Sequence, residues 1–296
     1  MKALILLLVS GVLTAGLFIT GKQVGSEAVS PLLILFWQMT GGALVVWLVS
    51  WPSRNFPLWN TEHIRYYLIG GLLGVSLPYV LAYAVLRELQ VGMVGLLTAL
   101  SPVLTYALAR LLGHEPGSPL RLLGLVAGLS GVAMLVIPGG GVDLSGQSAF
   151  LLLALAIPLT LAASNIYRSR YWPAGSEAMP LAIGMLTVQG GLLFIVNLSL
   201  GNFEQHMPES AGIGGLLLLL AVMAGASYLS TFKLLRIGGP VYLSQMGYVI
   251  TAVTLVAGIV MWGEHYDRTD VLSMGLILSG VLLTTWAGRN RFVKTT

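Results

Sequence analysis

Tyr79 and Tyr83 stand four residues apart in a stretch that is otherwise apolar, and Tyr228 with Phe232 repeats the spacing further along the chain. Four residues put two side chains on one face of a helix. Asn165 follows Ser164 in a second apolar stretch, and Gln245 lies three residues before Tyr248 in a third. Phenol and amide groups hydrogen-bond the ammonium or carboxylate of a small solute, while ring faces accept cations or apolar groups. The middles of these stretches hold no Asp, Glu, His or Cys, so they offer no set for acid–base or nucleophilic catalysis. Tyr79, Tyr83, Tyr228, Asn165, Gln245 and Tyr248 are therefore candidate ligand-binding residues, and the chain is expected not to be an enzyme. The competing reading makes such tyrosines interfacial anchors and such amides bridges between helices, a reading that suits Trp37, Gln38 and Gln189 better.

The elements that would position these groups follow from composition. Hydrophobic residues make up 56% of the 296 positions and charged residues only 9%, against roughly 25% charged in an ordinary soluble domain. The lipid bilayer is the expected solvent. Ten continuously apolar runs qualify as spanning helices: 3–21, 31–50, 65–86, 92–112, 119–138, 148–168, 180–200, 212–234, 240–262 and 270–288. The first, behind Met1-Lys2, exceeds a signal-peptide core and is read as an uncleaved span. Pro78, Pro102 and Pro158 lie within spans and remove backbone donors there.

Basic residues fix an orientation. With the N-terminus inside, twelve fall on the inner side (Lys2, Arg54, Arg65, Arg110, Arg121, Arg168, Arg170, Lys233, Arg236, Arg289, Arg291, Lys294) and only Lys22, Arg87 and Arg268 outside. That bias puts both termini in the cytoplasm. The charges are scattered singly, so the net +4 gives no nucleic-acid face. Lys22, Arg168 and Lys233, near span ends, are expected to snorkel to headgroups, the alternative being a cation near a cavity mouth. The four histidines are expected in loops without metal-site spacing, so no metal or cofactor is implied, and no G-x-x-x-x-G-K-[ST] phosphate loop occurs.

A shift of 149 residues aligns Pro31 with Pro180, Gly41-Gly42 with Gly190-Gly191, Tyr79 with Tyr228, Leu86-Arg87 with Leu235-Arg236 and Glu115 with Glu264. It also aligns Leu-Ser-Gly-Val at 129–132 with the same four residues at 278–281. Five spans per half is odd, so the halves, 1–143 and 147–296, must cross in opposite directions. Inverted repeats of this kind are a secondary-transporter architecture with a site near the midplane. Glu115 and Glu264 then sit at opposite faces, capping the turns into the fifth and tenth spans or salt-linking helix ends. Ser130-Gly131 and Ser279-Gly280 read as close-packing points, as do Gly92 and Gly95.

The plan of five plus five spans, "SPVLTYALARLLGHE" (101–115) and "TAVTLVAGIVMWGEH" (251–265) closing the fourth and ninth spans, and the following "LSGV" resemble the drug/metabolite transporter superfamily and, within it, the EamA-domain members. "VGMVGLLTALSP" (91–102) resembles a run in YddG-type amino-acid exporters. The resemblance implies an all-α inner-membrane protein with ten helices in two inverted repeats and a central cavity lined chiefly by spans one, three, four, six, eight and nine. It further implies export of small metabolites by alternating access, amino acids including aromatic and apolar ones foremost. The alternatives are a passive channel or a broad-specificity efflux protein for drugs and organic cations. The lack of a mid-span carboxylate speaks against a cation antiporter built on one. The expected partners are the bilayer and a small-molecule substrate, with the monomer sufficient for function.

Overall fold

The computed structural model describes residues 2–27, 29–113, 118–136, 147–205 and 211–292. Glu115 and the expected junction between halves around 143–146 lie outside the described residues. All regular structure among the described residues is helical: α1 (Lys2–Gly25), α2 (Pro31–Ser50), α3 (Thr61–Gly71), α4 (Leu77–Val85), α5 (Val91–Thr98), α6 (Ser101–Leu111), α7 (Pro119–Val136), α8 (Gln147–Ala154), α9 (Ala156–Arg170), α10 (Ala178–Ser199), α11 (Asn202–Gln205), α12 (Ala211–Ser244), α13 (Met246–Trp262) and α14 (Arg268–Phe292). Among the described residues, eight helical stretches are long and apolar enough to cross a membrane, and Thr61–Val85, Val91–Leu111, Ser148–Arg170 and Tyr242–Trp262 each run through an internal break. The runs at 119–138 and 270–288 are the helices α7 and α14.

The breaks follow from local sequence. Pro78 has no N–H for the ladder, and the preceding Leu72–Ser76 relaxes into one π-helical turn in which Leu77 N bonds Leu72 O. Pro102 opens α6 directly after α5 stops at Thr98, and Pro158 sits in the first turn of α9 just past the end of α8 at Ala154. Gly239, with φ +73°, turns the chain into Pro240 inside α12, and the ladder breaks again at Gln245 before α13.

Packing joins distant parts of the chain. α1 lies against α12 and α13, α2 against α10 and α12, α5 against α13, α6 against α9, and α7 against α14. Small residues let the backbones approach. A side chain on Gly95 would strike Thr254, and one on Gly92 would strike Leu255 and Tyr266. In the Leu-Ser-Gly-Val motifs, a Cβ on Gly131 would meet Ser273 and Ile277 of α14, and one on Gly280 would meet the Gly124 and Gly128 backbone of α7. The serines depart from expectation: Ser130 and Ser279 are exposed, and the Ser279 hydroxyl simply donates back to Leu276 O at 2.9 Å. Only the glycine can enter so close a crossing. Outward faces carry large apolar residues such as Leu122, Leu123, Val126, Val271, Leu272 and Leu282, as a lipid-facing surface requires.

Candidate functional site

A cavity of about 80 Å³ lies at the centre of the bundle. Its wall takes Thr14 from α1, Gly74 and Tyr79 around the π turn, Thr98 and Ser101 at the α5–α6 break, Asn165 and Arg168 from α9, Ser227, Tyr228 and Thr231 from α12, and Met246, Gly247 and Ile250 at the start of α13. The wall is thus drawn from the apolar runs at 3–21, 65–86, 92–112, 148–168, 212–234 and 240–262. Irregular backbone borders it at three places, where unpaired peptide groups are tolerated only inside protein or beside water. Thr14 and Ser227 share a hydrogen bond of 2.9 Å between α1 and α12, and Tyr79 packs edge-on to Phe18 at 5.6 Å.

Of the six candidate ligand-binding residues, the structure brings Tyr79, Asn165 and Tyr228 together in this wall. Tyr83 is buried in the helix packing beside it: its hydroxyl donates to Gln38 Oε1 and lies 3.4 Å from Leu17 O, and its ring fills the notch over Gly21. Gln245 occupies the break before α13 outside the wall, and the Tyr248 hydroxyl donates to Val281 O at 3.1 Å, tying α13 to α14. Gln189 is a bridge: it accepts from Ser76 Oγ at 2.5 Å and donates to Tyr67 O at 2.9 Å, joining α10 to the α3 region.

Arg168 departs most from expectation. It does not snorkel: it is 3% exposed and lines the cavity. It stands in the last turn of α9, and long side chains on a helix lean back toward the helix N-terminus, here toward the middle of the bundle. One guanidinium nitrogen donates to Asn165 Oδ1 at 3.3 Å, the Cζ lies 5.5 Å from the Phe232 ring centre, and Nε makes no hydrogen bond. No carboxylate pairs with it among the described residues. Trp172, Tyr66 and Tyr167 continue the ring packing beyond Phe232, with Tyr66 stacked on Tyr167 at 6.2 Å. The i, i+3 spacing of Asn165 and Arg168 was the signal in the sequence that could have found this pair.

Lys22 does not snorkel either, whereas Lys233 is exposed as expected. Where α1, α5 and α13 meet, Lys22 Nζ lies 3.1 Å from Glu264 Oε1 and donates to Leu89 O at 3.0 Å. The Glu264 carboxylate also accepts from Val91 N at 2.6 Å, Gly92 N at 3.2 Å and the Tyr266 hydroxyl at 2.6 Å. The first two are free donors at the start of α5, where a negative charge is favoured. Burial raises the Glu264 pKa, but the bonds from Tyr266, Val91, Gly92 and Lys22 outweigh it and hold the carboxyl below its ordinary value. Burial and the Glu264 charge push the Tyr266 phenol up, so it stays a donor. Glu264 therefore salt-links helix ends as expected, and what it caps is α5, at the opposite end of the pairing from the turn into α14. His63 is also placed differently from expectation, buried in the first turn of α3 and bonded to Asn60 and Ser176.

The EamA-like transporter family model matches residues 1–137. The inner membrane transporter YedA of Escherichia coli (strain K12) is 29% identical over 198 residues, 66% of this chain, and the match spans only 61% of YedA's length. Protein PecM of Dickeya dadantii (strain 3937) is 23% identical over 81% of this chain and 80% of its own, and the transporter YvbV of Bacillus subtilis (strain 168) is 24% identical over 86% and 82%. A solved chain described as "Crystal structure of protein" superposes with a TM-score of 0.64 at 18% identity, over 95% of this chain and 98% of that one, and so shares the fold. With its apolar helices and its relatives among inner membrane transporters, the chain is a multi-pass inner-membrane protein whose first 137 residues are similar to the EamA-like transporter family.

Proposed function

We propose that the protein is a secondary transporter, working as an exporter of small metabolites with amino acids, including aromatic and apolar ones, as the leading class. In this reading ten helices form two inverted five-helix repeats, 1–143 and 147–296, with both termini cytoplasmic, and the two halves rock about a midplane site. The monomer carries both halves and hence a complete pathway. The observation that carries the reading is the meeting of Tyr79 and its offset mate Tyr228 in one cavity, whose wall is supplied by three spans from each half. At about 80 Å³ the cavity has room for a few waters. Admitting a solute the size of an amino acid requires the halves to part, as alternating access demands.

The test is counterflow in proteoliposomes against labelled amino acids, nucleosides and organic cations. Saturable flux that counter-exchanges is expected, with Tyr79→Ala lowering it at least about tenfold. Flux that does not saturate would make the protein a channel, and uptake of organic cations alone would overturn the amino-acid reading.

A further inference from the structure

The cavity contains a permanent cation that no carboxylate among the described residues neutralises. Arg168 is 3% exposed, its Nε lacks a partner, and its one side-chain hydrogen bond goes to Asn165, one turn back on the same helix. A bond within α9 ties no elements together, so holding two helices is not what this bond does. It fixes the guanidinium against the cavity, and the Phe232 ring of α12 supports it from the side. The cavity wall includes no Asp or Glu, and a charge removed from water without a counter-ion costs several kcal/mol. That cost falls when an anion enters.

We propose that Arg168 is an anion-binding subsite that holds the carboxylate of the transported solute, with Asn165 as the residue that orients it. The planar guanidinium offers parallel donors that match the two oxygens of a carboxylate. Tyr79, Tyr228, Ser227 and Thr231 then supply neutral hydroxyls for the rest of the solute. The substrate class is a zwitterion or a monocarboxylate. A solute bearing only a positive charge meets a like charge in a cavity with no acid to offset it. The inference rests on reading the cavity as the transport site.

The experiment uses the full chain in liposomes of phosphatidylcholine and phosphatidylethanolamine, with labelled L-leucine in counterflow. N-acetyl-L-leucine keeps the carboxylate and loses the ammonium, and L-leucinamide does the reverse. The acid is expected to compete and the amide to fail. Arg168→Gln is expected to raise the half-saturation concentration about thirtyfold or more, as removal of one member of a buried charge pair does, with Arg168→Lys in between. The competition needs only the unaltered protein, so it stands even where a variant folds poorly. Equal competition by the amide, an unchanged half-saturation in a folded Arg168→Gln protein, or counterflow of nucleosides or organic cations without leucine would overturn the carboxylate subsite and leave the transporter standing. No saturable counterflow of any solute would overturn both.

Discussion

Lys22 and Arg168 are both cations drawn out of water near helix ends, yet their surroundings differ completely. Lys22 has an acid, a backbone carbonyl and the Trp262 ring around it, and the acid in turn is saturated by two amides of α5 and the Tyr266 phenol. Its side chain keeps 18% of its exposure and that of Glu264 only 5%. Arg168 has one neutral amide oxygen and a ring. The first cluster is complete without any visitor and pins α1, α5 and α13 together, so its charge does structural work. The second is left incomplete at a cavity, so its charge is available to a ligand. Burial alone does not separate the two roles; the presence of a counter-ion does.

Three measurements sharpen that contrast. The largest effect is expected from Glu264→Gln, which strands Lys22 and weakens the cap on α5. It should lower stability by about 3 kcal/mol, read as a shift of the unfolding midpoint in detergent, and a loss below about 0.5 kcal/mol would show that the cluster holds nothing together. Next, Tyr228→Phe removes a cavity hydroxyl and leaves the ring. Counterflow should fall about tenfold, equivalent to about 1.4 kcal/mol, with the unfolding midpoint unchanged. A drop in midpoint matching that of Glu264→Gln would move Tyr228 to the structural side of the comparison.

The smallest effect concerns pH. The Glu264 pKa is lowered in the folded protein, so its contribution is present above the ordinary carboxyl value near about 4.3 and is lost as pH falls through the lower folded value. The stability gap between the unaltered protein and Glu264→Gln should therefore stay constant from pH 8 to 6 and close only below about pH 4. A gap that already closes at pH 6 would mean a carboxyl that is not held down.

The helices were legible because runs of about twenty apolar residues have few other uses, and their interruptions were legible in Pro78, Pro102 and Pro158, whose missing donors act locally. Which residues face the cavity was harder to read. These spans are apolar on every side, so no polar face marks the lipid-averted direction, and Tyr83 and Tyr248 look the same in sequence as Tyr79 and Tyr228. Only packing turns Tyr83 onto Gln38 and Tyr248 onto Val281. For Arg168, a position near a span end allows either snorkelling or a cation at a cavity mouth, and the direction of the side chain decides for the cavity. At the C-terminal end of a helix the side chain leans back over the preceding turn, away from the near interface. Glu264 was read correctly as a link between ends, but its partners Lys22 and Val91 are 242 and 173 residues away and could not be named from spacing.

The π turn at Leu72–Ser76 has a consequence for how this span tolerates changes of length. Its i to i+5 bond, Leu77 N to Leu72 O, accommodates one residue more than a regular helix would hold between the same flanks. Removing one residue elsewhere in the span would rotate everything beyond it by about 100°, carrying Tyr79 away from the cavity. Removing one residue from 72–76 would instead let the turn relax to an ordinary helix with Tyr67 and Tyr79 still in phase. A one-residue gap at this point between two chains of this architecture is therefore compatible with an unchanged site.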